Sequence, residues 1–187
     1  LEKLRHKKIN KIIYSSSASV NNIKKQFIMN NDKFFYTKAK YDLENFLFKL
    51  FKNDHKKIII ARIFNMYGGN DKFSIIARLI KCYKKKKTFV LNNNGHAKRD
   101  FIHVKDVAKI YFRLLQSDLY GIHDIGTGKS TQIYDLIKIL GIRNFKIRSN
   151  MVNEEQISKA KIKQSHKKIF ISKIKVKKFL KQKLNLT

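Results

Sequence analysis

The chain has no proline, no tryptophan, seven glycines and one cysteine in 187 residues. A single cysteine, Cys82, excludes any disulfide within the chain, which fits a reducing compartment. It lies on an expected helix and reads as structural rather than nucleophilic. No apolar run approaches the roughly 20 residues of a membrane span. The opening residues 1–8 lack the apolar core of a secretory signal, so a cytoplasmic protein with no membrane partner is expected. Carboxylates are scarce, 13 against 43 lysines and arginines, for a formal net charge of +30. No proline and few glycines are unusual where turns must be made. With abundant Lys, Asn, Ile and Phe, the bias matches the codons of an AT-rich genome. That bias accounts for the lysines at least as well as a polyanion partner does. The basic residues are spread out, tightest at 84–87 and 173–183, and the aromatics fall mostly on expected core faces. Weak, salt-sensitive polyanion binding is expected, with no specific nucleic-acid partner. His6, His55, His96, His103, His123 and His166 show no pair at metal-ligand spacing, so no metal is expected.

What is present is an alternation of strand and helix signals. Apolar residues make up 43% of the chain, enough for a core in one or two domains. Residues 9–14 read as a buried parallel strand. Residues 35–52 read as a helix with Leu43, Phe46, Leu47 and Leu50 on one face. The β-branched run 57–64 reads as the next strand, 65–72 as a loop, and 73–83 as a helix whose end carries the 84–87 lysines. A short strand follows at 88–91 and a turn at 92–95. Residues 104–116 form a helix with Val107, Ile110, Tyr111, Leu114 and Leu115 inward. A strand is expected at 122–125, then a helix capped by Ser130 that ends at Gly141. Residues 145–148 suit a strand, and 151–168 carry the weakest signal. Ile171, Ile174, Val176, Phe179 and Leu180 space as an amphipathic C-terminal helix. Such alternation implies an α/β fold with a parallel sheet.

Two segments carry chemistry. Tyr36 and Lys40 stand four apart on the expected helix, so both side chains face one way. A nearby cation stabilises a phenolate, which a tyrosine needs to act as a base near neutral pH. Upstream, Tyr14-Ser-Ser-Ser17-Ala-Ser follows an apolar run, placing Ser17 at a strand end, where open α/β sheets bind ligands. Gly126-Thr-Gly128-Lys129-Ser130 invites a phosphate-loop reading, but that pattern needs a glycine where His123 stands.

With Ala61-Arg-Ile-Phe-Asn65-Met-Tyr-Gly68, Lys98-Arg99-Asp-Phe-Ile-His-Val-Lys-Asp-Val-Ala108, Gly121–Ser130 and 171–180, these motifs stand in the order of the NAD-dependent epimerase/dehydratase family of nucleotide-sugar enzymes. The chain resembles that family from about Lys11 to about Leu180. The resemblance implies that Tyr36 takes a proton from a sugar hydroxyl while hydride leaves the same carbon. It implies that Lys40 holds the nicotinamide ribose and favours the Tyr36 phenolate, that Ser17 orients the substrate, and that Asn65 and Arg99 touch the nucleotide diphosphate. His103 and Asp106 would support the loop. The cofactor would be NAD or NADP and the partner a nucleotide-diphosphate sugar. Residues 43–50 would be available as a homodimer face.

Dehydratases of the family place an acidic pair after this serine, whereas Ala18, Ser19, Val20 and Asn21 follow here. Epimerase or 4-keto-sugar reductase chemistry is therefore favoured. Asn21-Asn22 and Gly69 also depart from the family's Tyr-Gly and Pro. No Gly-rich dinucleotide turn is present. The expectation is an incomplete Rossmann-type parallel sheet with a smaller C-terminal substrate-binding lobe. Residues 1–68 would belong to the dinucleotide domain, and 69–187 mainly to the lobe, with segments returning to the sheet. On that reading the chain is the C-terminal part of a longer enzyme and binds NAD poorly alone. The rival readings are a non-catalytic sugar-nucleotide-binding remnant and a basic nucleic-acid-binding protein.

Overall fold

A computed structural model describes residues 9–23, 32–92, 95–148 and 157–186. Residues 1–8, where no secretory signal is expected, the middle of the turn at 92–95 and positions 151–156 lie outside the described residues. The chain divides into two compact units. One comprises residues 1–63 and 109–125, the other 64–108 and 126–187.

In the first unit, β1 (Ile12–Ser17), β2 (Ile58–Ile63) and β6 (Gly121–Ile125) form a three-stranded parallel sheet with β2 in the middle. Tyr14 pairs with Ile60 and Ser17 with Ile63, while Ile63 also pairs with Ile125. Central position explains the continuous apolar run of β2, since a parallel strand covered on both faces has no solvent side. Ile58, Ile59, Ile60 and Ala61 are all fully buried. The helix α1 (Asp32–Leu50) packs Leu47 against Ile58 and Ile60, with Phe51 just beyond its end and Leu43, Phe48 and Leu50 at the margin. Phe46, expected on that face, is exposed. Each buried Leu or Ile contributes about 1.5–3 kcal/mol.

The second unit holds β3 (Asn65–Tyr67), α2 (Ile75–Lys85), β4 (Phe89–Asn92), β5 (Lys98–His103), β7 (Ser130–Gln132), α4 (Ile133–Ile139), β8 (Phe145–Arg148), β9 (Ile157–Ser158) and α5 (Val176–Lys183). The helix α3 (Val104–Leu115) runs from this unit into the first. β3 and β9 pair parallel with β5, β7 pairs antiparallel with it, and β4 pairs parallel with β8. The core of this unit gathers Leu79 from α2, Leu91 from β4, Phe101 from β5, Leu136 and Ile137 from α4 and Leu180 from α5. Ser74 caps α2 by accepting from Ala77 N at 3.1 Å, and Lys84 and Lys85 sit in its last turn.

Several sequence expectations change. Residues 65–67 form a strand rather than a loop, because β5, which carried no strand assignment, offers them a parallel edge. Ser130 does not cap a helix: it pairs with Asp100 in β7, and α4 starts at Ile133 after Gln132, which makes no side-chain cap. Val107, Ile110 and Leu114 of α3 are buried, but Leu115 is exposed. The C-terminal helix begins only at Val176, leaving Ile171 and Ile174 outside it. Among the described residues, no helix is long and apolar enough to cross a membrane.

Candidate active site

Ser17 is the last residue of β1 and the N-cap of a short 3-10 turn, Ala18–Asn22, whose backbone folds Ser19 N back onto Ser17 Oγ at 3.2 Å. The α1 residues Tyr36, Lys40 and Glu44 recur every four positions and share one face of the helix. Lys40 Nζ donates to the Ser15 carbonyl at 3.0 Å. It lies 5.2 Å from the Tyr14 ring centroid and 5.8 Å from that of Tyr36, where each ring face attracts the cation. Tyr36 itself is 53% exposed. Thr37, its buried neighbour, donates to Ser19 Oγ at 2.9 Å, and Ser19 Oγ donates to Ser17 Oγ at 2.9 Å. Ser17 and Lys40 are thus each bonded at one strand end, and the Tyr36 ring lies beside the Lys40 ammonium. Burial raises the Tyr14 phenol above its ordinary value, with Glu44 and Tyr36 adding to the shift, so Tyr14 stays neutral beside the cation.

Sequence reasoning missed Glu44 and Arg62. Glu44 is 2% exposed and accepts from Ser16 Oγ at 2.5 Å, Arg62 Nε at 3.0 Å and Arg62 Nη2 at 2.5 Å. Arg62 Nη1 donates to Asn21 Oδ1 at 2.7 Å, and Asn21 Nδ2 donates to Asp124 Oδ1 at 3.2 Å. The available signal was an arginine interrupting the apolar run of β2 and a carboxylate four residues beyond Lys40. On the other side of β1, Ser15 Oγ and Tyr111 Oη lie 2.8 Å apart.

Asn65 and Arg99 belong to the second unit. Asn65 sits in β3 opposite Phe101, and its Nδ2 donates to the Asp100 carbonyl at 3.2 Å. Arg99, half-buried in β5, donates from Nη1 to the Lys98 carbonyl at 3.1 Å. Next to Arg99 stands Asp100, fully buried. Its carboxylate accepts from Thr127 N at 2.9 Å, Thr127 Oγ1 at 2.6 Å, Gly128 N at 2.8 Å and Ala160 N at 3.1 Å. The amides that a phosphate-loop reading would offer to a nucleotide are therefore held by a carboxylate. Gly126 permits this approach, since a Cβ there would meet Asp100 Oδ2 at 2.8 Å and Ala160 Cβ at 2.5 Å.

His103 stacks edge-on with Tyr67 and Phe179, and its Nδ1 accepts from Lys105 N at 3.1 Å. Burial pushes the His103 imidazole below its ordinary value, opposed by Asp106 and aided by Lys105. Gly68 (φ +98°) lies against that ring, where a Cβ would come within 2.4 Å of Nε2. Asp106 Oδ2 accepts from Ser172 Oγ at 2.9 Å, Lys173 N at 3.0 Å and Ile174 N at 2.9 Å, clasping the segment before α5. Tyr67 Oη donates to the Ile174 carbonyl at 3.1 Å, and burial raises its phenol well above the ordinary value.

The residues at the end of β1 fit the ribose end of a nicotinamide cofactor. Lys40 spends one of an ammonium's three protons on Ser15, leaving two for vicinal hydroxyls beside the exposed Tyr36. Among the described residues, no three His, Cys, Asp or Glu side chains gather to hold a metal.

A family model described as the NAD dependent epimerase/dehydratase family matches residues 1–126. Over 156 residues the chain is 31% identical to the ADP-L-glycero-D-manno-heptose-6-epimerase of Fusobacterium nucleatum subsp. nucleatum, covering 67% of this chain and 45% of that protein. Over 88 residues it is 31% identical to the dTDP-L-rhamnose 4-epimerase of Burkholderia thailandensis, covering 43% of this chain and 24% of that one. The solved UDP-glucuronic acid 4-epimerase from Bacillus cereus, in complex with UDP-glucuronic acid and NAD, is similar at a TM-score of 0.79 and 21% identity. The UDP-N-acetylglucosamine 4-epimerase from Methanobrevibacter ruminantium, in complex with UDP-N-acetylmuramic acid, is similar at 0.73 and 24%. Each structure covers 96% of this chain, which spans 62% of either. The chain thus spans less than half the length of the two relatives. The structural likeness shows a Rossmann-type α/β fold with parallel strands.

Proposed function

This chain belongs to the NAD dependent epimerase/dehydratase family, and from that premise we propose that it carries the substrate-handling part of an epimerase or 4-keto-sugar reductase acting on a nucleotide-diphosphate sugar. The observation that supports this reading is Lys40 bonded to the Ser15 carbonyl at 3.0 Å, with the Tyr36 ring 5.8 Å from its ammonium and Ser17 two residues on at the end of β1. Tyr36 takes the proton of the sugar hydroxyl as its O–H bond breaks, and returns it when the oxygen is reprotonated. Ser17 donates a hydrogen bond to that same oxygen. Lys40 binds the ribose hydroxyls of NAD or NADP and stabilises negative charge on the phenol oxygen. When bound, the nicotinamide accepts a hydride from the sugar carbon or delivers one to it. Asn65 and Arg99 bind the diphosphate, for which the planar guanidinium is suited. The absence of a carboxylate at positions 18–21 supports epimerase or reductase chemistry over dehydration. The setting is cytoplasmic, and Phe46, exposed while Leu47 packs onto the sheet, offers a homodimer contact on α1.

The test is turnover of a panel of UDP-, dTDP- and ADP-sugars by the protein that carries this chain, with NAD and NADP, before and after Tyr36→Phe. Loss of the transferring hydroxyl is expected to lower kcat by about 10²–10⁴ while nucleotide-sugar affinity survives. Near-normal turnover by Tyr36→Phe would remove the tyrosine from its role.

A further inference from the structure

A serine hydroxyl has one proton to donate and two lone pairs that accept. At Ser17 both lone pairs are taken by one residue: Ser19 donates from its amide at 3.2 Å and from its hydroxyl at 2.9 Å. The Ser19 oxygen accepts in turn from Thr37 Oγ1 at 2.9 Å. Thr37 is 0% exposed and follows Tyr36 directly in α1. Ser17, by contrast, is half-buried, with only its own proton left to offer a further partner. Its extended backbone (φ −128°, ψ 141°), leading into the 3-10 turn, is what brings residue 19 back onto its oxygen.

We propose that Thr37 and Ser19 are positioning residues that hold the Ser17 hydroxyl as an obligate donor to the oxygen on the reacting sugar carbon. This rests on the nucleotide-sugar reading above. An oxygen that gives its proton to Tyr36 gains negative charge, and a prealigned donor is worth most at that point. A serine with vacant lone pairs could instead accept from the sugar hydroxyl and hold its proton away from the base. The row Thr37 to Ser19 to Ser17 removes that option. Each bond in the row also polarises the next. No bond is made or broken along it, so the row orients a donor rather than moving a proton. Because Thr37 is on the helix of the base and Ser19 is on the turn of the donor, the same bonds set the spacing of Ser17 and Tyr36.

The test is a double-mutant cycle on Ser17→Ala and Ser19→Ala in the protein that carries this chain, with Thr37→Val and Thr37→Ser alongside. The readouts are kcat and KM with the nucleotide sugar that turns over in the panel above, calorimetric affinity for the same sugar, and the thermal midpoint. Ser19→Ala is expected to lower kcat about tenfold, the scale of one misdirected hydrogen bond. KM and calorimetric affinity should stay within about twofold. In the Ser17→Ala background the same change should cost nothing more, because its effect runs through Ser17. Thr37→Val should lower kcat by a smaller factor, and Thr37→Ser should restore it. Losses at Ser17 and Ser19 that multiply would overturn the proposal. So would a Thr37→Val variant with a lowered thermal midpoint but unchanged kcat, since the hydroxyl would then merely be a satisfied buried group. Unchanged kcat in both Ser17→Ala and Tyr36→Phe would instead remove both residues from the catalytic roles on which the proposal rests, while turnover of the sugar itself would leave the nucleotide-sugar reading standing.

Discussion

Replacing Glu44 with leucine should destabilise the first unit more than any surface change in α1. Glu44 is 2% exposed and its Arg62 partner keeps a side-chain accessibility of 15%, so water screens the pair little. Removing the carboxylate strands the guanidinium beside a sheet whose β2 neighbours are fully buried, with Asn21 Oδ1 as its remaining acceptor among the described residues. It also removes the acceptor of the Ser16 hydroxyl, itself 4% exposed. Breaking a buried pair in this way costs about 3–5 kcal/mol. For a chain of this length that lowers the melting temperature by about 10 °C. Replacing both partners with leucine should recover much of the loss, because neither charge then needs solvation. Glu44→Gln, which keeps the Ser16 acceptor and one guanidinium bond, should fall between. The assay is urea denaturation of the single and double variants, read as a coupling energy. A Glu44→Leu cost below about 1 kcal/mol, or additive single and double effects, would refute the reasoning, since exposed pairs behave that way.

His103 sets a pH dependence. Its folded-state value lies below the ordinary 6.5 through burial. The unfolded chain therefore binds the proton more tightly, and the contribution is fully present above about pH 6.5 and is lost as pH falls through the folded value. Denaturation midpoints measured from pH 7.5 to 5 should fall more steeply in the native protein than in His103→Gln, and parallel curves would contradict this. Asp100→Asn should loosen the 126–128 turn and the strand register around β9, since an amide oxygen cannot replace a carboxylate accepting from Thr127, Gly128 and Ala160 together. A stability loss of about 2–3 kcal/mol and faster amide exchange at 127, 128 and 160 are expected. Unchanged exchange at these amides would show that the turn holds itself.

The elements with strong local patterning were legible from the order of residues along the chain alone. The β-branched run of β2 and the apolar stripe of α3 each record burial along their own length, and the structure places them there. Ser17 at the end of β1 was also legible, because an apolar run followed by small polar residues marks a strand edge. Elements whose partners lie far along the chain were not. β3 and β7 exist because β5 offers them hydrogen-bonding edges, and neither three-residue stretch has a pattern of its own. Phe46 has the spacing of a core residue, yet the fold leaves it exposed.

The sequence by itself determined the excess of positive charge, the alternation of strand and helix, the order of the family's motifs and the Tyr36/Lys40 spacing. These are properties of neighbours along the chain, carried by periodicities of two and 3.6 residues. Tertiary structure alone decided which polar groups answer one another. Glu44 meets Arg62 across 18 positions, Asp100 meets Ala160 across 60, and Thr37 reaches Ser19 across 18. A buried carboxylate or hydroxyl must find its partner wherever folding brings one within bonding distance, and sequence spacing carries no record of that distance.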